Sequence, residues 1–116
     1  MHELAIASNI VETVLGEVEK RHLSKVNVIG LKIGALTDVV AEALEFGFEA
    51  LVADTPLKDT KLVIELIPIK GTCNKCKKSF EVNEFIFICP ECGSGDLRID
   101  QGKELDIAYL EVDDEM

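Results

Sequence analysis

The chain begins with a segment in which apolar residues recur at the spacing of a helix. Charged residues occupy most of the positions between them, as on the solvent face of an amphipathic helix. The apolar stripe consists of Leu4, Ala7, Val11, Val14 and Val18. This period predicts a helix over residues 3–22, and the β-branched, apolar segment 26–33 that follows predicts an interior strand.

A second helix and a second strand are predicted in the next part of the chain. Thr37 or Asp38 can cap the helix through a side-chain oxygen, and the helix should end before Pro56. The segment 62–67 predicts a strand, which Pro68 places at a sheet edge or terminates because proline has no amide proton to donate. The second helix is predicted to bury Val40, Leu44, Phe48, Leu51 and Val52.

Residues 71–96 differ in character, since they hold all four cysteines of the chain. Between the cysteine pairs, Phe80, Val82, Phe85 and Phe87 predict a β-ribbon. Strand patterns return over residues 97–100 and 104–112. The Gln101-Gly102 pair between them is typical of a hairpin turn.

These patterns predict an α+β fold with two helices on a small mixed sheet and an inserted four-cysteine ribbon domain. The expected domains are residues 1–70 with 97–116, which form the α+β domain, and residues 71–96, which form the ribbon. We expect both C-terminal strands to return to the sheet of the first domain.

The amino-acid composition disfavours some classes of binding partner. Twelve basic and twenty-two acidic residues give a formal net charge of −10, which disfavours binding to nucleic acid or to an anionic membrane. No apolar segment reaches the roughly 20 residues that span a bilayer, and the N-terminus does not resemble a signal peptide. We therefore expect a cytoplasmic protein, in which cysteines favour metal binding over disulfides.

The four cysteines form two Cys-x-x-Cys pairs, Cys73 with Cys76 and Cys89 with Cys92, separated by twelve residues. Two such pairs supply four thiolates for one tetrahedral ion and leave no position for water, which is typical of structural zinc. A segment this short needs a metal or disulfides to fold. Iron in a rubredoxin-like electron carrier is the main alternative, because tetrahedral sulfur coordination suits both metals. Paired disulfides and a zinc-ribbon interaction module are further alternatives.

The N-terminus offers a second set of metal ligands. The amine of Met1, the amide of His2 and its imidazole can chelate one ion, and planar nitrogen coordination favours Ni(II) or Cu(II). Glu3 would offset the positive end of the first helix, which repels a cation. The simpler alternative is that His2 is a solvated terminal side chain. We find no phosphate-binding loop and no catalytic dyad with a free cysteine, so we do not expect an enzyme.

The Met1-His2-Glu3-Leu4 start, the segment 31–35 (Leu-Lys-Ile-Gly-Ala) and the cysteine ribbon together resemble the HypA family of hydrogenase maturation nickel chaperones. The resemblance extends over the whole chain. One difference is that some relatives carry a carboxylate near the start of the second helix, where this chain has Val40, with Asp38 two residues earlier.

The resemblance implies a nickel metallochaperone with Ni(II) as transient cargo and Zn(II) as a structural ion. It implies that His2 binds nickel with help from Met1 and Glu3, and that Cys73, Cys76, Cys89 and Cys92 bind zinc. The implied partners are a HypB-type GTPase and the large subunit of [NiFe]-hydrogenase, with urease as a second recipient in some bacteria. A homodimer is a further expectation.

Overall fold

A computed structural model of the protein describes residues 3–113. Within this range the chain forms two α-helices, a 3₁₀ turn and six strands, which confirms the α+β class. The elements are α1 (Glu3–Arg21), β1 (Val26–Gly34), the 3₁₀ turn (Ala35–Thr37), α2 (Ala41–Val52), β2 (Lys61–Ile67), β3 (Ile69–Cys73), β4 (Ser79–Val82), β5 (Leu97–Gln101) and β6 (Leu105–Val112). None of the helices described is both long and apolar enough to cross a bilayer.

Helix α1 confirms Ala7, Val11 and Val14 of the predicted apolar stripe as buried, whereas Leu4 is 59% exposed. The end of the helix is defined by a backbone hydrogen bond. The amide of Leu23 donates to the carbonyl of Val18 at 3.0 Å, while His22 between them adopts a left-handed conformation with φ 53°. This is the usual geometry by which a helix satisfies its last carbonyls. The buried side chains of α1 are Ala7, Ile10, Val11 and Val14.

Helix α2 begins differently from the prediction. Its N-cap residue is Val40, whose side chain makes no capping hydrogen bond. Thr37 instead donates its hydroxyl proton to the carbonyl of Gly34 at 2.8 Å, and Asp38 is left-handed with φ 63°. The prediction that Thr37 or Asp38 caps this helix is therefore wrong, because both residues complete the 3₁₀ turn.

The buried face of α2 is only partly as predicted. Leu44, Phe48 and Val52 are buried, as expected. Val40 is 56% exposed, since it precedes the first helical turn, and Leu51 is 36% exposed. The prediction that these two side chains are buried is wrong. Gly47 belongs to the buried face instead, and an added Cβ there would lie 3.3 Å from Leu4 Cδ1 of α1.

The first sheet has the strand order β2-β1-β6. The central place of β1 confirms that it is an interior strand, and β2 lies at an edge and ends at Ile67, just before Pro68. Within β1, a Cβ on Gly30 would lie 2.1 Å from Tyr109 Cε2. The absence of a side chain at Gly30 therefore makes room for the aromatic ring of β6.

The second sheet has the order β4-β3-β5, and β3 pairs antiparallel with both neighbours. Of the two C-terminal strands, only β6 therefore joins the first sheet. The prediction that both of them return to it is wrong for β5. The predicted hairpin at Gln101-Gly102 is also wrong. Gly102 has φ 120°, and an added Cβ would lie 3.0 Å from the Cα of Ile69, so its position requires glycine for close backbone packing.

The predicted ribbon between the cysteine pairs is shorter than expected. Strand β4 ends at Val82, and Phe85 and Phe87 lie outside the strands. Phe85 is 58% exposed and left-handed, a conformation that interrupts a strand.

The residues group into two compact units. One, the helical unit, comprises Met1–Lys32, Val39–Glu65 and Asp106–Met116, and the other, the ribbon unit, comprises Ile33–Asp38 and Leu66–Leu105. The functional division into domains over residues 1–70 with 97–116 and over 71–96 remains a prediction.

Candidate metal centre

The first cysteine pair lies in a tight backbone loop directly after β3. The amide of Cys73 donates to the carbonyl of Lys78 at 2.8 Å, and the amide of Lys77 donates to the carbonyl of Cys73 at 2.9 Å. Lys77 has φ 67°, which turns the chain back so that Cys76 faces Cys73. The amide of Cys76 also points at the Cys73 sulfur, with N···S 3.5 Å.

The second cysteine pair repeats this geometry. The amide of Cys89 donates to the carbonyl of Ser94 at 2.8 Å, and the amide of Gly93 donates to the carbonyl of Cys89 at 2.9 Å. Gly93 has φ 76° and stands at the same offset from its first cysteine as Lys77 does in the other loop. Each pair is thus a knuckle in which a left-handed residue directly after the second cysteine allows two thiols to converge on one point.

Polar contacts connect the two knuckles. The backbone and side-chain amides of Asn74 both donate to Asp96, to its carbonyl at 2.9 Å and to Oδ1 at 2.9 Å. The amide of Asp96 donates to the hydroxyl of Ser94 at 3.0 Å. We did not identify these residues from the sequence, although their positions one residue after Cys73 and four residues after Cys92 were a possible signal.

The four sulfur atoms form a compact cluster. The Sγ atoms of Cys73 and Cys92 are 3.5 Å apart, those of Cys76 and Cys89 are 3.5 Å apart, and all four lie within 4.8 Å of one another. A tetrahedral zinc site with Zn–S bonds of about 2.3 Å has S···S edges of about 3.8 Å, so the donor set fits zinc. These distances are far longer than an S–S bond of about 2.05 Å, and all four cysteines are free thiols.

The thiols differ in their environments. Backbone N–H groups, that of Cys76 first, lower the pKa of Cys73 to about 6, and the N–H of Cys92 lowers the pKa of Cys89 in the same way. The N–H of Lys78 favours the thiolate of Cys76, but the neighbouring Cys89 thiol and burial outweigh it and raise the pKa of Cys76 to about 12. Without a cation, four thiolates cannot coexist at this distance.

Cys92, the second cysteine of its pair, has a raised pKa like Cys76, and this pattern indicates how a cation would change the thiols. The N–H of Ser94 favours the Cys92 thiolate, but the nearby Cys73 thiol and burial raise the pKa of Cys92 overall. A divalent metal supplies the charge that deprotonates all four ligands, and binding then releases protons. Cys73 and Cys89 are buried, whereas Cys76 and Cys92 are exposed.

A polar network supports the strand that leads into the first knuckle. The hydroxyl of Thr72 donates to Asp100 Oδ2 at 2.6 Å and lies 2.9 Å from the hydroxyl of Ser79. Arg98 Nε donates to Asp100 Oδ1 at 2.7 Å. The bonds from Thr72 and Arg98 lower the pKa of Asp100. This network was not found from the sequence, because it depends on the register of three strands.

The predicted nickel ligands are described only in part. Met1 and His2 lie outside the described residues. Glu3 is the first residue of α1, and its Oε2 accepts a hydrogen bond from the amide of Val40 at 3.0 Å. The carboxylate therefore connects the start of α1 to the N-cap residue of α2, whose own side chain makes no capping hydrogen bond. Within residues 3–113, the four cysteines are the only cluster of three or more potential metal ligands of the Cys, His, Asp and Glu types.

Comparison with known proteins identifies the family. The sequence model described as hydrogenase/urease nickel incorporation, metallochaperone, hypA, matches residues 1–112. The chain is similar to the hydrogenase maturation factor HypA 2 of Bradyrhizobium diazoefficiens, with 42% identity over 97% of this chain and 100% of the relative. It is also similar to the hydrogenase maturation factor HypA of Geobacter metallireducens, with 40% identity over 97% of this chain and 100% of the relative.

Two solved structures share the fold. The solution structure of the Ni metallochaperone HypA from Helicobacter pylori has a TM-score of 0.67 and 24% identity, and covers 97% of each chain. The solution structure of a HypA protein has a TM-score of 0.73 and 24% identity, and covers 99% of this chain and 98% of the other. The thiol cluster has the geometry of a structural zinc site, and the family match extends over both units. The chain belongs to the HypA family of metallochaperones for nickel incorporation in hydrogenase maturation.

Proposed function

We propose that this protein binds Ni(II) at its N-terminus and delivers it to [NiFe]-hydrogenase during maturation. His2 is the principal ligand, and the Met1 amine and Glu3 complete the site. The observation that carries the proposal is the match of the nickel-incorporation family from residue 1 to residue 112, which includes the Met1-His2-Glu3 segment.

The local structure around Glu3 supports a cation at this place. The N-termini of helices carry partial positive charge that repels metal ions, and the carboxylate of Glu3 lies within hydrogen-bond distance of the backbone that starts α2. Its negative charge offsets the positive ends of both helices. Release of nickel then requires only that an entering ligand from the recipient replace the imidazole or the amine.

The proposed partners follow from the family. We propose the hydrogenase large subunit as the recipient and a HypB-type GTPase as a participant in the transfer, which the names of the relatives as hydrogenase maturation factors support. Urease is a second recipient, consistent with the description of the family. We further propose that the protein is cytoplasmic, that it forms a homodimer and that it is a carrier and not an enzyme.

The four cysteines hold structural zinc in this proposal. Four thiolates close a tetrahedral coordination sphere and leave no open position for a reacting water, so the zinc site serves folding. The nickel-binding domain and the zinc ribbon then have separate tasks, as the predicted domains imply. We propose that the ribbon domain extends beyond residues 71–96 and includes β5, because β5 pairs with β3.

Nickel titration of matched variants tests the N-terminal site. We compare the parent protein with its native start, His2→Ala, a version extended by one residue before Met1, and His22→Ala. His22 is the other histidine of the chain and lies just beyond α1, so it is the matched control. We expect the first two changes to weaken nickel binding at least about tenfold, and His22→Ala to leave it unchanged.

Zinc content is measured in the same samples and should be equal in all of them. Equal nickel affinity in the parent, the His2→Ala variant and the extended version would refute the N-terminal chelate. The rubredoxin-like alternative is tested separately by metal analysis of protein produced in iron-rich medium. One zinc per chain and a colourless solution are expected, whereas a red protein with stoichiometric iron would support the electron carrier.

A further inference from the structure

The ribbon unit exposes a group of apolar side chains beside its second knuckle. Phe85, Ile86 and Ile88 are 58%, 57% and 53% exposed, and they belong to four consecutive apolar residues, 85–88, that directly precede Cys89. Single exposed apolar residues are common, but a contiguous group is typical of a surface that binds another molecule. We call these three side chains the ribbon patch.

The backbone that presents the patch adopts an unfavourable conformation. Glu84 and Phe85 have φ 54° and φ 58°, and the amide of Ile86 donates to the carbonyl of Asn83 at 3.0 Å. This tight turn normally requires glycine or asparagine, because a bulky side chain is disfavoured at positive φ. Strained residues of this kind are concentrated at functional sites, and here the strain holds an aromatic side chain in solvent.

A cleft of about 200 Å³ opens next to the patch. Phe80, Glu81, Asn83, Ile86, Ile88 and Pro90 line it. Its volume suits one or two inserted side chains. The walls are mostly apolar, and Glu81 is the one charged residue among those that line it. Such a combination binds a group that is apolar at its tip and cationic at its side.

We propose that the ribbon patch is a docking site for an amphipathic, basic segment of a partner protein. The segment inserts an apolar side chain into the cleft and places a lysine or arginine against Glu81, with Glu84 as a second carboxylate at the turn. Charge decides among the possible occupants. A second copy seated on the patch would bring Glu81 and Glu84 of the two chains together, and the same two carboxylates would repel an anionic lipid surface. The proposal does not depend on the nickel site.

The test uses zinc-loaded protein and a fluorescently labelled synthetic helical peptide with a leucine face and a lysine face. Binding is followed by fluorescence anisotropy for Ile86→Ser and Glu81→Gln. The same changes on β2, Val63→Ser and Glu65→Gln, are matched controls, since Val63 is also exposed, at 48%. We expect each patch variant to weaken binding at least about fivefold and each control to stay within about twofold of the parent.

Equal zinc content and equal circular dichroism show that the variants are folded. Three results would overturn the proposal. The control variants could weaken binding as much as the patch variants, or a peptide with glutamates in place of lysines could bind equally well. Sedimentation could also reveal a dimer that Ile86→Ser abolishes, in which case a second copy of the chain covers the patch.

Discussion

The side chain of Glu3 connects two helix starts through a hydrogen bond. Its Oε2 accepts at 3.0 Å from the amide of Val40, the N-cap residue of α2, whose own side chain makes no capping hydrogen bond. A carboxylate in this position has two roles, and two different substitutions can distinguish them experimentally. It accepts a backbone hydrogen bond, which an amide oxygen can also do, and it carries a negative charge, which an amide does not.

Glu3→Gln and Glu3→Ala should therefore differ in their effects. We expect Glu3→Gln to keep the thermal unfolding midpoint close to that of the parent and to lower nickel affinity, because the neutral amide no longer offsets the helix dipoles. Glu3→Ala should lower nickel affinity and also reduce stability by about 1 kcal/mol through the lost cap. Calorimetric unfolding and nickel titration measure the two quantities. If Glu3→Gln binds nickel as tightly as the parent, Glu3 acts only by positioning α2.

At the scale of elements, the first sheet depends on a glycine in its central strand. A Cβ on Gly30 would lie 2.1 Å, 2.3 Å and 2.5 Å from three ring carbons of Tyr109. Real Cβ atoms do not approach other heavy atoms so closely, so the ring of β6 must move if Gly30 gains a side chain. A tyrosine ring packed over a strand glycine also stabilises a position that is otherwise weak in a sheet.

Gly30→Ala should destabilise the helical unit by about 1 kcal/mol, the lower end of the cost of overpacking, because the Tyr109 ring is 45% exposed and can move outward. The cost should be smaller in a Tyr109→Ala background, where the ring no longer occupies the space. Urea denaturation of both single variants and the double variant yields the coupling energy. Additive effects would show that the ring does not pack on Gly30.

Periodicity predicted the elements but not which strands pair. The apolar patterns located α1, β1 and β2 to within about one residue, because local burial determines these patterns. Strand pairing is not local. Gln101 and Gly102 resemble a hairpin turn, yet β5 pairs with β3, and Gly102 is needed for packing against Ile69.

The sequence predicted the four cysteine ligands of the candidate metal centre but not the polar contacts that surround them. The spacing of four cysteines identifies a cluster without further information, because each Cys-x-x-Cys turn presents two thiols to one point. The Thr72–Asp100 and Asn74–Asp96 contacts depend on strand register and loop conformation, which no motif encodes. The capping role of Glu3 was also missed, since it acts on a residue that is distant in sequence.

At the scale of the whole molecule, the two units differ in how much apolar surface they bury. The helical unit has a core that includes Val14, Ile29, Leu44 and Phe48 of the helices and strands and Leu57 of the turn after α2. In the ribbon unit the buried apolar side chains are Ile33, Ile69 and Val82, and the buried sulfurs of Cys73 and Cys89 complete the core. Two thiols without a metal contribute little to such a core, so metal binding must supply much of its folding free energy.

Removal of zinc should therefore unfold the ribbon unit and leave the helical unit folded. We expect a strong chelator, added with a thiol reductant, to collapse the amide NMR signals of β3, β4 and β5 while the helical circular dichroism of α1 and α2 persists. Zinc added back should restore the spectrum, which controls for cysteine oxidation, and Cys92→Ser should reproduce the chelated state. Persistence of the ribbon signals without zinc would show that the thiol cluster is not needed for folding. Loss of both units at one chelator concentration would mean that the two units fold as one, against the predicted division into separate domains.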